Sequence, residues 1–241
     1  GLHRELGGIP LDEIGVTGHG AVEAADVAAR FIGRDLQGAT VAIEGFGAVG
    51  QACFRALAAK GAKVVALSDI NGAVYNPDGL DYHALVTVDP ATGKPRKLWN
   101  RDYVEGKRID GAELFGLDVD ILVPGARPDV ITMSNVKQIR AWLVVEAANI
   151  PVSVDAETYL GRKGVLVIPD FIANAGGVIS GAVELRKGTP EESLSVAARQ
   201  IRGNVQAMLE EAKSEGILPR QAAENMARRR VLAAMKDKGW L

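Results

Sequence analysis

Val41-Ala-Ile-Glu-Gly-Phe-Gly-Ala-Val-Gly50 decides the reading of this chain. A short apolar, β-prone segment runs into G-x-G-x-x-G at Gly45, Gly47 and Gly50, and a helical pattern follows at once. The three glycines have separate mechanical uses: a tight turn at Gly45, close approach of backbone to a pyrophosphate at Gly47, and close helix–strand packing at Gly50. A helix beginning there offers unpaired N–H groups and a positive dipole end to an anion. Downstream, Val49, Ala52, Cys53, Ala56 and Leu57 share one helix face, and Gly61 is placed to end it. Lys63-Val-Val-Ala-Leu-Ser68 then reads as a second strand. It delivers Asp69 about 20 residues past the glycines, where such units hydrogen-bond an adenosine ribose. A strand–helix turn holding no ligand is the competing reading, and the ordered succession of strand, loop, helix, strand and acid argues against it.

The chain has 241 residues, 47% of them hydrophobic, enough for one large or two modest domains with a real core. A net charge of −2 gives no footprint for nucleic acid. The single cysteine, Cys53, rules out an intramolecular disulfide and reads as a small buried hydrophobe rather than a nucleophile. No apolar run approaches the roughly 20 residues of a membrane span, and no signal peptide is visible, so the expected setting is the cytoplasm. Gly1 in place of methionine fits a processed start or one cut from a longer polypeptide. No His/Cys/Asp/Glu grouping has metal-ligand spacing.

Strand-like and helical segments alternate, which predicts an α/β fold: a doubly wound, mostly parallel, Rossmann-like sheet with extra N-terminal and C-terminal helices. We divide it into a leading helical part (1–37), a core (38–188) and C-terminal helices (189–241). Ala21 to Ile32 reads as a helix with Val27, Ala28 and Phe31 on one side. After Asp69 a loop-rich insertion carries turn signals at Asn76-Pro-Asp-Gly79 and Asp89-Pro-Ala-Thr-Gly93. Further strands are expected at Val119–Val123, Leu143–Val145 and Val165–Ile168. Thr189-Pro-Glu-Glu192 is a helix start with a hydroxyl cap. Leu194, Ala198, Ile201, Val205, Met208 and Ala212 form that helix's buried stripe, and Gly216 ends it. A last helix runs from near Pro219 to Lys238. Its Arg228-Arg-Arg230 run lacks interleaved aromatics and reads as a solvated face or a subunit contact.

Leu6-Gly-Gly8, Val16-Thr-Gly18, Gly45–Gly50, Ser68-Asp69, Tyr75–Gly79, Leu122-Val-Pro124, Glu146-Ala-Ala-Asn149, Ile168-Pro-Asp170 and Ala173–Val178 occur together, with Trp240 near the end. In this set the chain resembles the nucleotide-binding domain of the glutamate/leucine/phenylalanine/valine dehydrogenases, the glutamate enzymes most of all. The resemblance implies reversible NAD-dependent oxidative deamination of L-glutamate to 2-oxoglutarate and ammonia. A branched or aromatic amino acid, or a non-catalytic nucleotide-binding regulatory module, is the alternative.

It also implies site residues. Thr17 would contact the nicotinamide side, and Gly45, Phe46, Gly47, Ala48, Val49 and Gly50 would cradle the pyrophosphate. Asp69 and Ile70 would face the adenosine ribose. Ala126 would flank the cofactor, Asn149 would approach the nicotinamide ribose, and Asn174 would hold nicotinamide and substrate. On residues alone, Thr17 also reads as a helix cap, Asn149-Ile-Pro151 as a turn, and Asn174 as a cap. Three predicted strand ends placed before them favour the ligand readings. An acid at the ribose favours NAD, with NADP as the alternative. Where the glutamate enzymes carry arginine and serine for the substrate's side-chain carboxylate, this chain has His19 and Gly181, and His19 reads as a spacer or packed side chain. The family's catalytic lysine and proton-shuttling aspartate sit in a separate N-terminal domain. Neither motif occurs here, and Lys94 lacks the apolar surroundings such a lysine needs. The expectation is a cofactor half with no catalytic residue of its own, acting on substrate through a missing substrate domain, in a homo-oligomer that engages neither nucleic acid nor membrane.

Overall fold

A computed structural model describes residues 5, 7–86 and 106–240. His3, Leu6, Lys94 and the turn expected at Asp89–Gly93 lie outside them. A seven-stranded sheet runs through the centre. In chain order its strands are β1 (Thr40–Glu44), β2 (Lys63–Asp69), β3 (Gly72–Tyr75), β4 (Lys107–Ile109), β5 (Ile121–Pro124), β6 (Leu143–Val145) and β7 (Leu166–Ile168). In space they follow the order β4-β3-β2-β1-β5-β6-β7. β1 pairs parallel with β2 and β5, and β5, β6 and β7 continue in parallel. The order reverses between β1 and β5. In open α/β sheets the ligand crevice forms at that reversal, outside the carboxyl ends of the strands.

The loop-rich reading after Asp69 needs correction. Asp69 turns straight back into β3, which pairs antiparallel with β2, and β4 pairs antiparallel with β3. The expected turn sits just beyond, where the Gly79 N–H donates to the Asn76 carbonyl at 3.0 Å and Gly79 takes φ +105°. Gly72-Ala-Val-Tyr75 is too short for its alternation to stand out.

Helices cover both faces: α1 (Leu11–Ile14), α2 (Val16–Phe31), α3 (Ala48–Ala59), α4 (Tyr82–Leu85), α5 (Val154–Arg162), α6 (Asp170–Ala173), α7 (Gly176–Leu185), α8 (Pro190–Glu215) and α9 (Pro219–Asp237). Alternation along the strands sorts the core into two layers. Val41, Ile43, Ile121, Val123, Leu143 and Val145 face α2, α3, α8 and α9. Ala42, Leu122 and Val144 face α5 and two short 3-10 turns.

α2 begins at Val16, five residues before the expected Ala21. Thr17-Gly-His-Gly20 is a poor helix former by composition, and tertiary contact overrides that. A Cβ on Gly18 would lie 2.5 Å from the Val49 carbonyl oxygen, and one on Gly20 would lie 2.5 Å from Ile201 Cδ1. The glycines are there so that α3 and α8 can press against α2. Thr17 is therefore inside a helix. It is not the cap, which is Gly15, and it does not follow a strand end. In α8 the capping is as expected: Thr189 Oγ1 accepts from the Glu192 N–H at 3.1 Å, and Gly216 closes the helix at φ +66°. Its stripe differs in the first turns, where Ser193, Val196 and Ala197 are buried and Leu194 and Ala198 only partly so. Arg229 of the basic run pairs with Glu211, and Arg230 donates to Asn204 at 2.9 Å, so part of that run staples α9 to α8.

Candidate functional site

The carboxyl ends of β1, β2, β5, β6 and β7 lie along one edge of the sheet, and every expected ligand residue except Thr17 comes from that edge. At β1 the chain turns through Gly45, whose φ of +96° suits glycine alone. The Gly45 N–H donates to Ser68 Oγ at 3.2 Å, tying the turn to β2. A Cβ on Gly50 would sit 1.9 Å from the Gly45 carbonyl oxygen, so α3 starts in contact with the turn. A Cβ on Gly47 meets nothing within 4 Å. The space beside Gly47 is thus open to the outside, and no side chain caps the N-terminus of α3 or places an acid in its first turn. Unpaired N–H groups in front of an open cradle suit a pyrophosphate.

Phe46 behaves differently from its neighbours in the loop. Its ring is buried and packs edge-on against Phe54 at 6.5 Å between centroids, so only its backbone faces the cradle. Asp69, at the end of β2, accepts from the Asn71 N–H at 2.7 Å, and Ile70 beside it is 89% exposed. Ala126, after β5, stands over the turn: a Cβ on Gly45 would touch its own at 2.6 Å. Sequence reasoning missed what holds it there. The buried Glu44 carboxylate accepts from the N–H groups of Gly125 at 3.1 Å and Ala126 at 2.9 Å. An acid ending an apolar strand, Val41-Ala-Ile-Glu44, was the available signal.

Farther along, Asn149 follows β6 and Asn174 follows β7 by way of α6. Asn174 Nδ2 donates to Asn149 Oδ1 at 2.8 Å and to the Ala148 carbonyl at 3.1 Å. Thr17 reaches this end from α2, since a Cβ on Gly177 would lie 3.3 Å from Thr17 Oγ1 and one on Gly176 would lie 2.3 Å from the Val16 carbonyl oxygen. Thr17, Asn149 and the Asn174–Gly177 segment therefore share one corner. His19, two positions on, points to another side of α2 and lines a recess with Ile14, Arg55 and Leu194. Gly181 meets nothing within 4 Å of a would-be Cβ, and Val178, three residues before it on α7, is 82% exposed. Cys53 is fully buried, and burial pushes its thiol up to about 12, which suits a packed side chain and not a nucleophile.

Behind that corner lies a cluster that sequence reasoning did not assemble. Glu146 ends β6, Asp170 starts α6, Glu157 sits on α5, and Arg220 reaches them from α9. Arg220 Nη2 is 3.1 Å from Glu146 Oε2 and 3.5 Å from Asp170 Oδ1, and its Nε donates to Glu157. Burial, followed by repulsion from Glu157, raises Glu146 to about 8 despite Arg220. Burial likewise raises Glu157.

A model of the Glutamate/Leucine/Phenylalanine/Valine dehydrogenase family matches residues 7–239. Among relatives, the chain is 40% identical over 248 residues to the glutamate dehydrogenase of Aeropyrum pernix, which covers 98% of this chain and 58% of that protein. It is 45% identical over 177 residues to the glutamate dehydrogenase of Thermotoga maritima, covering 72% of this chain and 41% of that one. The NADP-specific glutamate dehydrogenase of Saccharolobus shibatae is 40% identical over 76% of this chain and 42% of its own length. The chain thus spans about half the length of the relatives it matches. Its fold superposes on the hetero-hexameric glutamate dehydrogenase of Thermus thermophilus in a leucine-bound form. The TM-score is 0.80 at 30% identity, over 93% of this chain and 53% of that one. L-tryptophan dehydrogenase of Nostoc punctiforme shares the fold, with a TM-score of 0.70 at 23% identity, over 91% of this chain and 59% of that one.

Proposed function

Since this chain belongs to the glutamate/leucine/phenylalanine/valine dehydrogenase family, we propose that it is the nucleotide-binding half of an NAD-dependent amino-acid dehydrogenase, with glutamate as substrate. One observation supports this reading above the others: the expected contacts occur in dinucleotide order along one sheet edge. Asp69 ends β2, the glycine turn ends β1, Ala126 follows β5, and Asn149 and Asn174 follow β6 and β7. An adenosine ribose on Asp69 and a pyrophosphate on the α3 N-terminus leave the nicotinamide at the Asn149–Asn174 corner.

When bound, the nicotinamide ring supplies the hydride acceptor. This chain's residues bind and orient it. Amides of the Gly47–Gly50 turn neutralise the phosphates, and Asp69 accepts from the ribose hydroxyls. That carboxylate repels a 2′-phosphate, which favours NAD over NADP. Asn149 and Asn174 fix the nicotinamide end, with Thr17 beside them. The acid–base groups belong to the substrate domain, and the working enzyme is an oligomer that contains it.

Gly181 and Val178 favour a second reading of the substrate. The open Gly181 position and the exposed Val178 give α7 an apolar surface at this corner, which suits a branched or aromatic side chain better than a carboxylate. The test is direct. The purified chain should quench or enhance NADH fluorescence with micromolar affinity while oxidising no glutamate. Millimolar or absent binding overturns the reading.

A further inference from the structure

Glu146, Glu157 and Arg220 stand behind the proposed cofactor positions, and with Asp170 they hold the backbone that carries two of them. Glu146 is fully buried and Glu157 is 3% exposed. Glu146 Oε2 accepts from the Asp170 N–H at 3.2 Å. Asp170 Oδ2 accepts from the Ile150 N–H at 2.9 Å, directly after Asn149, and its carbonyl accepts from the Asn174 N–H at 2.7 Å. Both asparagines are thus tethered to Asp170, and Asp170 is tethered to Glu146 and Arg220.

The cluster is short of positive charge. Three carboxylates share one guanidinium, and Glu157 Oε1 is buried without any hydrogen bond. Buried acceptors left in that state are costly. A proton kept on Glu146 relieves the excess, leaving Arg220 to serve Glu157 and Asp170.

We propose that Arg220 is a positioning residue for the nicotinamide end of the cofactor: reaching from the last helix, it clamps the Asp170 carboxylate beside a protonated Glu146, and through Asp170 it fixes Asn149 and Asn174. The inference rests on the cofactor-binding reading above. The charged groups facing Glu146 are Glu157 from α5, Asp170 from α6 and Arg220 from α9, while Glu224 on α9 adds to the repulsion on Glu157. Ionising Glu146 adds a buried negative charge beside Asp170 and draws Arg220 away from it. The grip on the asparagines therefore loosens as pH rises through about 8.

The experiment measures NADH and ADP-ribose affinities of the whole chain across pH. ADP-ribose keeps the adenosine, the pyrophosphate and the second ribose but lacks the nicotinamide ring, so it escapes the hold of Asn174 on that ring, and the ratio of the two affinities reads that hold. The preference for NADH should fall about fivefold between roughly pH 6.5 and 9.5. Glu146→Gln should hold that preference constant with pH. Arg220→Met should show the low preference at every pH while ADP-ribose binding persists; should that variant fail to fold, the Glu146→Gln profile decides. A flat wild-type preference, or an Arg220→Met variant that weakens both ligands equally or neither, overturns the clamp. Wild-type binding of ADP-ribose with no gain from nicotinamide overturns it while leaving the cofactor reading standing. Binding of neither ligand overturns both.

Discussion

Asn174 donates through Nδ2 to Oδ1 of Asn149 at 2.8 Å, joining the loops that leave two paired parallel strands. Neither amide can turn without breaking the bond. Asn174→Ala removes this bond and the one to the Ala148 carbonyl. With the side chain goes its proposed bond to nicotinamide, worth about 1 kcal/mol, so NADH affinity should fall about fivefold. Both bonds lie near the surface, so the unfolding midpoint should move little. Fluorescence titration with matched thermal melts checks both halves, and unaltered affinity would remove the pair from the site.

Two glycines of one loop should respond in opposite ways. Gly47→Val points into open space, so the variant should fold normally and lose NADH binding, because the new side chain fills the phosphate cradle. Gly50→Ala drives a methyl group onto the Gly45 carbonyl oxygen. It should cost about 1–3 kcal/mol of stability. Urea unfolding and NADH titration on both variants separate the effects; equal unfolding midpoints would contradict the loop geometry.

Asp69→Ala should lower the ratio of NAD to NADP affinity about tenfold. A charge-assisted bond to a ribose hydroxyl is worth about 1.5–3 kcal/mol, and the repulsion on a 2′-phosphate disappears with it. Parallel titrations of NADH and NADPH measure the ratio. If it does not change, Asp69 is no determinant.

Stability should fall from mildly acid to alkaline pH. Unfolded, Glu146 ionises near 4.5; folded, it keeps its proton to about 8. The folded chain binds more protons between those values, so the stability tied to this group is complete below 4.5 and is lost as pH rises through 8. At about 1.4 kcal/mol per pH unit the loss is at most roughly 5 kcal/mol. Glu23 and Asp26 act in the other direction. Burial pushes both up, but hydrogen bonds from Lys60 and Arg202 to Glu23, and from Arg202 to Asp26, outweigh it and hold both low. Their contribution is present above the ordinary carboxylate range and is lost on acidification. Urea unfolding across pH should peak near about pH 5, and Glu146→Gln should flatten the alkaline arm alone.

The glycine turn, β2 and its terminal Asp69, β5 to β7, and both ends of α8 were legible because each depends on near neighbours: turn chemistry, apolar runs, a capping box. The start of α2 was not, because Gly18 and Gly20 are weak helix formers that tolerate α2 only through contacts with α3 and α8. β3 and β4 were hidden by their length. Arg220 stands 74 positions from Glu146 and 63 from Glu157, and no local pattern marks an arginine on a late helix as the partner of acids ending a strand. Glu146 and Asp170 lie in segments singled out for the family resemblance, while their own role emerges only when the strands are laid side by side.

α2 precedes the first strand in sequence yet sits in the middle of the apolar layer, with Ala21, Ala24, Ala25, Ala28 and Ala29 almost wholly shielded. Its small side chains let two neighbouring helices come within backbone reach. A chain trimmed to begin at Thr40 would keep every proposed nucleotide-binding residue but Thr17, and would still leave a trench the width of a helix beneath α3 and α8. Transplanting this half into another protein must therefore carry those leading residues as cargo, or the graft arrives with its keystone left behind.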